Sequence, residues 1–154
     1  MDPEDDVLDK TAAEIQEAIV NEARSIYSEK VIDHFLHPRN LGPMEDADGF
    51  ARVRGPCGDT MHLLLKVSEG RIEKARFMTD GCATTVACGS IITELIKEKP
   101  VSEVLKVSAA DVIEALGGLP GSSMHCAVLA AQTLQKAIGH YLFVQRGKER
   151  KTRS

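Results

Sequence analysis

The hydrophobic pattern changes period at Gly81-Cys82, and that corner limits what the chain can fold into. Before it, Met61, Leu63, Leu65 and Val67 alternate with His62 and Lys66, the period-two signature of a half-buried strand. Leu64 breaks the polar side of this alternation. Glu69-Gly70 supplies a hairpin turn, because glycine takes positive φ at little cost. Ile72 to Met78 returns as the next strand, with Ala75 and Phe77 on one face, and Phe50 to Arg54 reads as a further strand. After the corner, Val86, Ile91, Ile92, Leu95 and Ile96 recur at helical spacing and stop before Pro100. Cys82 therefore stands where a strand hands over to a helix. The first amides of a helix point outward unpaired, and with the helix dipole they favour a thiolate over a thiol.

Two more cysteines have polar neighbours. Cys57 lies in Gly55-Pro56-Cys57-Gly58-Asp59, a glycine-rich turn between strands. Cys126 follows His125 in the expected first turn of the last helix, which Ser122 or Ser123 can cap. That helix carries Ala127, Ala130, Ala131, Leu134, Ala137, Ile138 and Tyr141 on one face. Three thiolates at element ends, with a carboxylate at Asp59 and an imidazole at His125, can bind zinc tetrahedrally or hold an iron–sulfur cluster. A permanent store wants four soft ligands; three cysteines and an oxygen at Asp59 make a weaker site that can give its contents away. Cys88 sits among Ala, Val and Ile and is turned about 120° from Cys82 on a continuous helix. It reads as a small buried hydrophobe. His34, His37, His62 and His140 read as surface or packing residues.

Composition supports a metal-binding or catalytic use of these thiols. A net charge of −4 argues against general nucleic-acid binding. No window approaches ~18 apolar residues, so no membrane span is expected. The acidic start (Asp2, Glu4, Asp5, Asp6) is opposite to a signal peptide. The expected location is cytoplasmic, where cysteines stay reduced and spaced cysteines serve metals or catalysis more often than disulfides. With no Trp, the core rests on Leu, Ile, Val and Ala. Leu8 to Phe35 reads as helical, with Leu8, Ala12, Ile15, Ile19, Ala23 and Ile26 forming a stripe expected to pack on its own domain. Pro38 ends that pattern, and Asn40 to Gly49 reads as a loop. Ser108 to Asp111 resembles a helix start, and Gly117-Gly118 a stop. The expected division is a helical extension over 1–23, one domain over 24–145, and a basic, solvated and frayed tail over 146–154.

The combined pattern resembles iron–sulfur cluster assembly scaffolds of the IscU type, also found as the N-terminal domain of NifU. The matching stretches are Tyr27 to Phe35, His37 to Gly42, Cys57-Gly58-Asp59, Ala75-Arg76-Phe77, Gly81-Cys82 and His125-Cys126. The resemblance implies an α+β fold with a small three-stranded antiparallel sheet and helices packed on one face. It implies that Cys57, Cys82 and Cys126 receive sulfur and hold a nascent [2Fe–2S] cluster, that Asp59 keeps the site labile, and that His125 is an alternative or neighbouring ligand. It further implies iron as a substrate, zinc in the cluster-free form, a cysteine desulfurase as sulfur donor and apo iron–sulfur proteins as recipients. A second copy of the chain is a candidate partner; nucleic acid and membrane are not expected.

Two features depart from that pattern. Relatives served by a dedicated Hsp70-type chaperone carry Leu-Pro-Pro-Val-Lys before the His-Cys. Here only Leu119-Pro120 remains, which speaks against such a chaperone. Cys88 lies where many relatives have serine. Two other functions compete with a non-enzymatic scaffold. A zinc-dependent sulfurtransferase of the SufU type shares the fold but carries an insertion between its second and third cysteines; the segment from Cys82 to Cys126 looks too short for it. A structural zinc module leaves Asp59 and His125 unexplained.

Overall fold

The structure, a computed structural model, describes residues 3–152, and the side chains of residues 10–149. The chain runs α1 (Pro3–Arg24), α2 (Glu29–Leu36), β1 (Gly49–Arg54), β2 (Thr60–Ser68), β3 (Arg71–Thr79), α3 (Ala83–Ile96), α4 (Val101–Val104), α5 (Ala109–Ala115), a 3₁₀ turn (Gly121–Ser123) and α6 (Met124–Thr152). The three strands form one antiparallel sheet in chain order, with β2 in the middle. Its register pairs Leu63 with Ala51 on one side and Phe77 on the other. The alternation read in β2 is the burial pattern: Met61, Leu63 and Leu65 are fully buried. They meet Ala51, Val53, Ala75 and Phe77 in one core with the inner faces of α3, α5 and α6. α6 packs along β1 and β2, and α3 lies on β3. The α+β architecture with a small antiparallel sheet is thus as expected. Leu64, the exception in the alternation, is buried on the other face between its cross-strand partners Phe50 and Arg76.

The helix–sheet contact is closest at Gly89. A Cβ there would lie 2.4 Å from the Phe77 ring, which is itself fully buried. Gly89→Ala is therefore expected to lower stability by about 1–3 kcal/mol through overpacking. A thermal melt checks this, and an unchanged midpoint would show that the ring has room to move.

Several expectations are corrected. The helical run from Leu8 to Phe35 is two helices, broken at Ser25–Ser28. Ser28, in extended backbone, caps α2 by accepting from the Val31 amide. Its hydroxyl also donates to the Leu116 carbonyl, tying the break to the end of α5. Most of the apolar stripe is left uncovered: Ile15 and Ile19 on α1, and Ile26 in the break, stay 56%, 60% and 59% exposed, while the end of α1 with half-buried Ala23 keeps a small contact with α2. Leu8 lies outside the described side chains. Neither Ser122 nor Ser123 makes a side-chain cap at α6 among the described hydrogen bonds. The 3₁₀ turn runs directly into the helix instead and buries Ser123. The basic segment from Arg146 is not frayed through Thr152 but continues α6. Among the described residues, no helix is long and apolar enough to cross a membrane.

The expected caps at α5 and its exit are present. Ser108 and Asp111 form a reciprocal capping box, and Gly117 and Gly118 take φ of 76° and 100° beyond the helix end.

Candidate metal centre

Three element ends meet at one end of the sheet. The β1–β2 turn closes by the Gly55 amide donating to the Asp59 carbonyl at 2.7 Å, with Gly58 at φ 88°, a conformation that favours glycine. The β3–α3 corner is braced to the same turn. The Thr60 amide donates to Asp80 Oδ1 at 2.7 Å, and the Thr79 hydroxyl donates to the Thr60 carbonyl at 2.6 Å. Cys82 is the N-cap residue of α3, in extended backbone. The third end is the first turn of α6, which carries Cys126.

This geometry brings Asp59, Cys82 and Cys126 together: their ligand atoms all lie within 4.8 Å of one another. His125 is adjacent to Cys126, its Nε2 3.5 Å from the sulfur, but stands outside the three-donor group. Cys57 is also outside it. Its side chain is exposed on the Gly55–Asp59 turn. Two of the three expected cysteines and the expected carboxylate thus converge, and the third thiol lies on the turn that carries that carboxylate.

The three thiols of the corner and α3 differ in environment. Burial raises the Cys82 thiol pKa. The Thr85 hydroxyl and the Thr85 and Thr84 amides outweigh that effect, so the net shift is downward despite the Asp59 charge. The Cys82 sulfur makes no cap hydrogen bond to these amides, so the direction rests first on the Thr85 hydroxyl, 3.5 Å from the sulfur. Cys126 is 1% exposed, and burial, with the Cys82 and Asp59 charges, pushes its thiol up to about 11. Cys88 is fully buried, and burial first, then the charges of Cys126 and Cys82, raises it far above the ordinary thiol range. Brief native alkylation followed by mass spectrometry should therefore label Cys57 and Cys82 first, with Cys88 slower by at least about tenfold. Early labelling of Cys88 would contradict this burial.

The sequence reading missed Thr85. Its hydroxyl, fully buried, lies 2.9 Å from Asp59 Oδ2, 3.3 Å from Cys126 Sγ and 3.5 Å from Cys82 Sγ. The available signal was a pair of threonines, Thr84 and Thr85, in the first turn of a helix after a cysteine N-cap. Gly81 was read only as part of the corner. A Cβ there would come within 2.7 Å of Thr85 Cβ and 2.9 Å of Asp59 Oδ2. Two of the histidines set aside as surface or packing residues have packing roles here. His34 Nδ1 is 2.7 Å from Ser90 Oγ, and His140 Nδ1 accepts from the Phe50 amide at 3.2 Å.

The donor set fits a thiophilic ion. Two sulfurs and one carboxylate oxygen suit zinc or iron better than calcium or magnesium, which take oxygen alone. Fold and site together define a small α+β domain with two cysteines and a carboxylate gathered at one corner, a donor set that could hold a metal ion. The chain belongs to the NifU-like N-terminal domain family, whose model matches residues 26–148. It is 50% identical over 124 residues to the iron–sulfur cluster assembly scaffold protein IscU 1 of Archaeoglobus fulgidus, covering 80% of each chain. It is 43% identical over 120 residues to the IscU scaffold protein of Escherichia coli, covering 75% of this chain and 93% of that one. The crystal structure of a nitrogen-fixing NifU-like protein (N-terminal) from Brucella abortus superposes with a TM-score of 0.61 at 16% identity. That match covers 75% of this chain and 94% of the other and speaks to the fold.

Proposed function

We propose that this chain is a non-enzymatic scaffold on which iron–sulfur clusters are assembled and from which they are passed to apo-proteins. The observation that carries the proposal is the convergence of Asp59, Cys82 and Cys126 at one corner, in a chain 43–50% identical to proteins named as such scaffolds. Iron and sulfide are substrates here and the cluster is cargo.

Cys82 is the sulfur-receiving thiol. It is exposed and held toward the thiolate by the Thr85 hydroxyl and the first amides of its helix. Its thiolate attacks the outer sulfur of a persulfide on a cysteine desulfurase; the donor's S–S bond breaks, the donor leaves as thiolate, and Cys82 becomes the persulfide. Conversion of that sulfur to sulfide takes two electrons from an external reductant. The buried Cys126 thiol loses its proton as it binds iron. Cys57 completes the thiolate set from the exposed turn, and His125 stands beside Cys126 as a neighbouring or replacement ligand. Asp59 supplies the oxygen donor that keeps a [2Fe–2S] cluster exchangeable. In the cluster-free form the same donors take zinc. The setting is cytoplasmic, and a second copy of the chain can supply missing ligands.

Anoxic reconstitution with desulfurase, cysteine, reductant and ferrous iron tests this. A visible cluster chromophore with acid-labile sulfide is expected. Equimolar zinc that persists through reconstitution would favour a zinc-dependent sulfurtransferase of the SufU type instead.

A further inference from the structure

We infer that Thr85 is the positioning residue of the Asp59–Cys82–Cys126 site: its buried hydroxyl holds one carboxylate oxygen of Asp59 against the two sulfurs and leaves the other to an incoming metal ion. This rests on reading that group as the metal-receiving site. Thr85 is the third residue of α3, so the helix backbone fixes its Cα, and its β-branch restricts its rotamer. Asp59 comes from the β1–β2 turn and Cys126 from α6; Thr85 is the one described side chain that hydrogen-bonds both. A hydroxyl has one proton and two lone pairs. Asp59 Oδ2 at 2.9 Å is the nearest and strongest acceptor for that proton, and Cys126 Sγ stands 3.3 Å from the same hydroxyl oxygen.

Two features show that the contact is built into the corner. Thr85 is fully buried, so no solvent position replaces its hydroxyl. Gly81 keeps the space open, since a Cβ there would press on both Thr85 Cβ at 2.7 Å and Asp59 Oδ2 at 2.9 Å. With Oδ2 held, Asp59 offers Oδ1 as a single donor instead of chelating through both oxygens. A one-oxygen ligand leaves more readily than a two-oxygen one. Thr85 therefore sets both the orientation and the exchangeability of the carboxylate.

The test is anoxic titration of the full chain with cobalt(II), following the thiolate-to-cobalt charge-transfer band and the d–d bands. Thr85→Val keeps the shape and removes the hydroxyl. It is expected to weaken cobalt binding by roughly ten- to a hundredfold and to change the d–d envelope, as losses of ligand-orienting partners do. Thr85→Ser should keep the parental affinity and spectrum. Gly81→Ala, which retains the hydroxyl but wedges it from Asp59, should behave like Thr85→Val. Parental binding and spectrum in Thr85→Val, or loss in Thr85→Ser equal to that in Thr85→Val, would overturn the inference. If Thr85→Val melts before titration, Gly81→Ala decides, and parental binding there overturns it. A parent chain without any thiolate-to-cobalt band is a separate result, which refutes the site reading and the inference with it.

Discussion

A chain carrying Asp59→Ala is expected to hold its cluster roughly tenfold longer than the parent under chelator challenge. A tenfold change corresponds to about 1.4 kcal/mol. The Asp59 carboxylate shares a 4.8 Å sphere with two sulfurs that must become thiolates. Unit charges about 5 Å apart at an effective dielectric of about 20 repel by about 3 kcal/mol, and half-exposure reduces this further. The remainder still covers the expected change. Alanine removes both that repulsion and the oxygen donor through which a thiolate is displaced. Decay of the visible absorption after adding chelator measures it. Equal decay in variant and parent would mean that Asp59 does not set lability.

Cys82→Ser is expected to separate stability from function. Serine is a preferred N-cap, whereas the native sulfur makes no cap hydrogen bond. The side chain is exposed, so the melting temperature should stay level or rise slightly. Function should move the opposite way. An alcohol is neither a persulfide acceptor nor a soft ligand, so reconstituted cluster should fall by at least about tenfold, and persulfide should vanish from this position. Mass analysis after incubation with desulfurase and cysteine checks both. Retained persulfide and chromophore would transfer the receiving role to Cys57, the other exposed thiol.

Much of the fold was legible because its signals are local. The period-two run from Met61 to Val67, the Glu69-Gly70 turn and the switch at Cys82 needed no long-range information. Even Leu64, the odd position in the alternation, marked a genuinely buried residue on the second face. Two errors have distinct causes. The break at Ser25–Ser28 was hidden because Ile26 continues the apolar stripe of α1 past its end, which outweighed the local cap signal of Ser28, whose side chain accepts from the Val31 amide. The exposure of α1 was hidden because an amphipathic stripe looks the same whether or not anything covers it. At the site, residue types and element ends pointed to the thiols and Asp59, since those signals sit in short motifs. Thr85 was not legible, because two of its three partners, Asp59 and Cys126, come from the β1–β2 turn and α6, far from it in sequence. Nor was the separation of Cys57 from the three-donor group, which depends on the path of a turn and not on its composition.

The central claim is that this corner holds a cluster it can give away. The most direct measurement mixes the anoxically reconstituted chain with an apo [2Fe–2S] acceptor and, in parallel, with chelator, following the cluster on both proteins. The account predicts that the acceptor gains cluster as the scaffold loses it, faster than chelator alone strips it, and that Asp59→Ala slows the transfer. A chain that forms no cluster, or keeps it in the presence of the acceptor, would contradict it.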